Sequence, residues 1–139
     1  MNFAKTLVWI NCWLFLAFGF GFILAPESLA ALLTGAAPAT ASAVTDMRAT
    51  YGGMALGLAV MFGLCASNEL QVRLGLQGVL AVMVGLAVAR TLGMLLDGTP
   101  NVFIFIMLAA EVVMAALALA GLRQAGAQEP SDMPLESTR

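Results

Sequence analysis

The sequence predicts an all-α fold, an integral membrane bundle of four helices, and three observations carry that prediction. Hydrophobic residues make up 61% of the 139-residue chain and charged residues only 10%, whereas a soluble domain must turn roughly half its residues toward water. The apolar residues fall into four runs, each close to the roughly 20 residues that a helix needs to cross the hydrocarbon core. Between the runs lie short segments punctuated by Pro, Gly, Asn and Asp, which break helices and form turns.

The first run is 6–25, preceded by Lys5 and closed by Pro26. A signal peptide has an apolar core of only about 7–15 residues and a small-residue cleavage site. The longer core here, with Pro26 directly after Ala25, reads as a retained anchor. Residues 26–34, "PESLAALLT", suit a short interfacial helix: Pro26 fits a helix start, and Leu29, Leu32 and Leu33 share one side. From Gly35 the composition shifts to Ala, Thr, Pro and Ser, which reads as an extended loop. The second span is expected at 46–66. Asn68 then offers an N-cap with Gln71 at capping-box spacing, opening a third span at 70–96 that is long enough to tilt or protrude. "DGTPN" from Asp97 to Asn101 is a turn, 102–122 is the fourth span, and 123–139 reads as a polar, disordered tail.

Several classes of chemistry are excluded at this stage. The chain has no histidine, which removes histidine acid–base catalysis and zinc–histidine or bis-histidine haem ligation. Cys12 and Cys65 are far apart, lack CxxC spacing and read as small buried hydrophobes. No metal ligand set, cofactor motif or catalytic residue is assigned, and the absence of a basic stripe excludes nucleic acid as a partner.

Small residues recur at four-residue spacing in two spans, at Ala49, Gly53 and Gly57 and at Gly85, Ala89 and Gly93. This spacing lets membrane helices approach backbone to backbone, so both sets are expected to pack the bundle or, alternatively, to join copies of it. Asn11 and Gln77 are expected to hydrogen-bond between helices. Arg90 and Glu111 are ionisable residues inside spans three and four, where such groups are costly unless paired or wet. Counted from the shared turn at about 1.5 Å per residue, Arg90 lies roughly 9 Å deep and Glu111 roughly 14 Å deep, within reach of an arginine side chain. In one bundle, Asp46, Arg48, Tyr51 and Asp97 would form a rim above this pair. The six residues are either an ion-pair network that fixes helix register or the polar end of a ligand or proton site.

The segments "FILAPESLAALL", "TDMRATYGGMALGLAV", "RLGLQGVLAVMVGLAVARTLGMLLDGTP" and "MLAAEVVMAALAL" resemble the bacterial membrane family known as domain of unknown function 4345. That family is placed near the DoxX-like proteins. The most specific match is the Asp/Arg–Ala–x–Tyr–Gly–Gly segment at Asp46, Arg48, Ala49, Tyr51, Gly52 and Gly53, joined by Arg90, Asp97 and Gly98. The resemblance implies a four-helix inner-membrane protein of unassigned activity. DoxX-like relatives include subunits linked to quinone-coupled sulfur oxidation, a fold-level analogy that transfers no reaction.

Three functional classes follow. An accessory or scaffold subunit, packing against a larger membrane complex or in a homo-oligomer, is the leading expectation. A binder of a quinone- or lipid-like amphiphile, holding it at the Arg/Glu/Asp cluster, is the alternative. An enzyme would be limited to carboxylate chemistry at Glu111, Asp46 or Asp97. Membrane lipids are partners in every case. With four spans, Lys5, Arg73 and Arg123 share one side. The positive-inside rule then predicts a multi-pass bacterial inner-membrane protein with cytoplasmic termini.

Overall fold

A span in lipid must satisfy its own backbone hydrogen bonds, and an uninterrupted α-helix does so within one segment. The computed structural model describes residues 3–127, which are mostly helical with no strand among them. The chain forms α1 (Phe3–Leu24), α2 (Pro26–Thr34), α3 (Ala41–Met47), α4 (Met54–Ser67), α5 (Val72–Asp97) and α6 (Val102–Ala127). A π-helical segment, Arg48–Gly53, joins α3 to α4 without a break, and a 3₁₀ turn, Glu69–Gln71, leads into α5. Four continuous helical stretches are long and apolar enough to cross a membrane: Phe3–Leu24, Ala41–Ser67, Glu69–Asp97 and Val102–Gln124. The protein is a multi-pass membrane protein.

Three local features differ from expectation. The loop after Gly35 ends sooner, because Thr40 caps α3, its Oγ1 accepting from Ala43 N at 3.2 Å. Helix therefore begins at Ala41 instead of 46. Asn68 does cap the next element, but Oδ1 accepts from Leu70 N at 3.0 Å and the chain makes a 3₁₀ turn before α5. Helix α6 runs past Leu122 to Ala127, and the rest of the expected tail lies outside the described residues.

The core is an apolar seam in which Val8, Phe62, Leu76, Val79 and Ala118 are fully enclosed. Phe15 meets Phe62 with ring centroids 5.7 Å apart. The tightest packing joins α1 to α4 and α5 to α6, with α1·α5, α4·α5 and α1·α6 closing the bundle. Cys12 and Cys65 are free and buried in this seam. A Cβ built on Gly121 would lie 3.5 Å from Phe3, so the start of α1 and the last turns of α6 share one end of the bundle. Lys5 pairs with Glu69 at that same end.

The expected small-residue faces do not pack the bundle. Ala49, Gly53 and Gly57 are exposed, as are Gly85 and Ala89, with Gly93 half-exposed. A Cβ on Gly57 or Gly85 would meet nothing within 4 Å, and one on Gly53 only its own helix's Arg48 carbonyl at 3.9 Å. Close approach happens elsewhere, at Gly19, Gly52 and Gly75. A Cβ on Gly19 would sit 2.7 Å from Leu56 Cδ2 and 3.0 Å from Leu56 N; one on Gly52 would sit 2.7 Å from Ile23 Cγ1 and 3.2 Å from Ile23 N. A Cβ on Gly75 would sit 2.9 Å from Cys65 Cβ. Neighbouring helical residues point about 100° apart, so Gly52 faces α1 while Gly53 faces outward. The polar marks differ as well. Asn11 is fully buried, but its Nδ2 donates to Leu7 O of its own helix at 2.9 Å, and Oδ1 has no partner. Gln77 is exposed on the outside of α5.

Candidate functional site: a buried arginine–glutamate pair

The turn between α5 and α6 sets the register of the site. Gly98, at φ +97°, adopts a backbone conformation that costs glycine little and other residues much. Asn101 then anchors the start of α6. Its Oδ1 accepts from Ile104 N at 3.3 Å, and its Nδ2 donates to Leu33 O at 3.0 Å, tying the turn to the last turn of α2.

Below this turn Arg90 and Glu111 meet. Arg90 Nε donates to both carboxylate oxygens at 3.1 Å, and Nη2 donates to Oε1 at 2.7 Å. The side chains are 16% and 7% exposed. Such side-on geometry gives Arg–carboxylate pairs their strength and direction. Removing both charges from water offsets much of their attraction, so the pair specifies how α5 meets α6 more surely than it adds stability.

The remaining four residues of the expected cluster make no hydrogen bond to this pair among the described residues. Arg48 donates to Ile23 O near the end of α1. That carbonyl lies where α1 stops and Pro26 begins α2, among the carbonyls that a helix end leaves without intrahelical partners. A cation there also complements the helix dipole. Asp46 accepts from Thr50 Oγ1 at 3.4 Å. Tyr51 lies on Phe22, with ring centroids 5.2 Å apart, and Phe22 in turn meets Phe18 at 4.9 Å. Asp97 is exposed at the last position of α5. The hydrogen bonds of Arg48 and Asp46 thus stay around the α1–π junction, while those of Arg90 and Glu111 link α5 to α6. Sequence depth alone placed all six at one membrane face, but depth carries no information about azimuth around the bundle.

The sequence reading also missed the π segment itself, in which Met54 N reaches back to Ala49 O instead of to Thr50. Such widened turns are rare and frequent at functional positions. This one coincides with "RATYGG", and the adjoining glycines were its only trace in the sequence. A shallow, open groove of about 480 Å³ runs along α3 beside it, lined by Ala41, Ser42, Thr45, Asp46 and Ala49. Among the described residues, no group of three or more Cys, Asp or Glu side chains is placed to hold a metal ion.

No curated protein and no solved structure matches the chain. The family model described as "Domain of unknown function (DUF4345)" matches residues 3–122, which takes in the α1–π junction, the Arg90–Glu111 pair and all four membrane-crossing stretches. The chain belongs to the DUF4345 family.

Proposed function

We propose that this protein is a non-catalytic accessory or scaffold subunit that docks against a larger membrane complex. The observation that carries the reading is the outward face of the second span, where Ala49, Gly53 and Gly57 are exposed and no neighbour lies within 4 Å of a Cβ on Gly57. Small residues at this spacing are the usual means of close helix contact in lipid. Gln77 adds support, because its exposed amide lies in a span where lipid supplies no hydrogen-bonding partner. The polar interior favours a structural role too, since its buried ion pair, Arg90 with Glu111, ties α5 to α6.

The same proposal places the protein in the bacterial inner membrane with both termini cytoplasmic, near the DoxX-like proteins. Lys5, Arg73 and Arg123 at the end shared by α1 and α6 support that orientation. Co-purification from native membranes in a mild detergent, with mass spectrometry of proteins and lipids, tests the reading. A stoichiometric partner that is retained by the native chain and lost in Gly57→Leu supports it. Recovery of the chain alone, or of a partner indifferent to Gly57→Leu, overturns it.

A further inference from the structure

A polar side chain on the outer face of a membrane helix is costly, because hydrocarbon offers it no hydrogen bond. Gln77 is exposed on α5, and among the described residues no hydrogen bond reaches its amide. The stretch Glu69–Asp97 has 29 residues, about 43 Å of helix, which matches a whole bilayer of about 40–45 Å including headgroups. Gln77 lies about 12 Å along that helix from Glu69, and the headgroup layer takes about 6 Å of the distance. Its backbone therefore sits within the hydrocarbon, and glutamine lacks the long stem by which lysine or arginine reaches back to water.

The residues in line with Gln77 form a seam. Leu74, Gln77, Ala81, Val84 and Val88 follow one another in steps of three and four, and all five are exposed. Such spacing, a mean of 3.5 residues, keeps one stripe turned toward a neighbouring helix along its whole length. The stripe carries no charge. Apolar side chains gain little by exchanging lipid for one another, so Leu74, Val84 and Val88 supply fit and the amide supplies the attraction.

The chemistry of the amide selects the occupant. Copies that insert with one topology set their α5 helices side by side and parallel. In a parallel pair related by a twofold axis along the membrane normal, each position of the seam meets its own counterpart. A charge, or a group that only donates, would oppose itself there. A carboxamide carries both a C=O acceptor and an NH₂ donor, so two of them exchange two N–H···O bonds and satisfy each other. A lone polar residue on such a seam also fixes register and the number of chains. We infer that the α5 seam docks a second copy of this chain, with the two Gln77 amides hydrogen-bonded to each other across the axis. The pairing lies on a different helix from the α4 face, which it leaves to the larger complex, so either reading can fail without the other.

Energy transfer between copies of the full chain tests the assignment. The Thr99→Cys variant, with Cys12 and Cys65 buried, carries a donor or an acceptor dye, and mixtures are reconstituted in phosphatidylcholine vesicles at falling protein-to-lipid ratios. Transfer exceeds random proximity and rises linearly with the acceptor fraction, as it does for a pair. Gln77→Leu, which keeps the helical melt, weakens the pairing about tenfold, as loss of hydrogen bonds between membrane helices does. Gln77→Asn recovers part of that loss, and Gly57→Leu, on α4, changes nothing. In native membranes Val84→Cys cross-links two copies on oxidation, whereas Val113→Cys, 56% exposed on α6, does not. Transfer no greater than random, or a curved dependence on acceptor fraction, overturns the inference. So does pairing that is indifferent to Gln77→Leu or lost in Gly57→Leu, or a Val84→Cys cross-link only to a different protein.

Discussion

The Arg90–Glu111 pair makes a quantitative claim about stability. Glu111→Gln leaves a guanidinium whose side chain is 16% exposed without its counter-charge, and Arg90→Met leaves a carboxylate whose side chain is 7% exposed without any partner. An uncompensated buried charge typically costs about 3–5 kcal/mol, and the contact removed is strong, with Nη2 2.7 Å from Oε1 and Nε shared between both oxygens. Arg90→Met is expected to be the worse of the two, because a neutral glutamine can still accept from Arg90. By the scaling of helical domains of this size, either loss lowers the melting temperature by on the order of 10 °C. The double substitution removes both charges and restores much of the loss, since two neutral side chains of similar volume carry no desolvation penalty. The assay is a thermal double-mutant cycle in a single detergent, followed by circular dichroism, with the interaction energy read as the departure from additivity. Single variants that melt like the native protein, or a double variant whose loss equals the sum of the singles, would refute the pair as the tie between α5 and α6.

Three further outcomes follow from the packing and the topology. Gly52→Leu and Gly19→Leu abolish folded, monodisperse protein, because their Cβ positions fall 2.7 Å from Ile23 and Leu56 side chains with backbone close behind. Gly85→Leu, which faces open space, melts within about 1 kcal/mol of the native protein, and the reverse order in size-exclusion and melting experiments would invert the assignment of faces. Asn11→Leu melts at or above the native temperature, since it removes a buried Oδ1 that accepts nothing; marked destabilisation would mean that oxygen has a donor in the membrane. A cysteine introduced at Thr40 or Thr99, with Cys12 and Cys65 buried, reacts with an impermeant maleimide on intact cells. Labelling seen only after lysis would overturn cytoplasmic termini.

Which residues lie in lipid was legible in the sequence because hydrocarbon solvates no free backbone group, so length and hydropathy alone identify the crossings. The charged pair was legible for the same reason: lipid penalises Arg90 and Glu111 unless they meet, and counting residues from "DGTPN" placed them within reach. Azimuth was not legible. In water, polarity marks the outside of a helix. In lipid, Val60 and Leu64 on the outside are as apolar as Ala59 and Phe62 within, so nothing in the pattern says which way a face turns. For that reason Gly53 and Gly57 were read as glue when Gly52 and Gly19 form the contact. For the same reason Arg48, Asp46 and Tyr51 were placed above a pair with which they share no hydrogen bond among the described residues. The π segment that turns Gly52 onto Ile23 and the close approach of Gly19 to Leu56 are products of how helices pack in three dimensions. Residue spacing, which records only distance along one helix, carries neither.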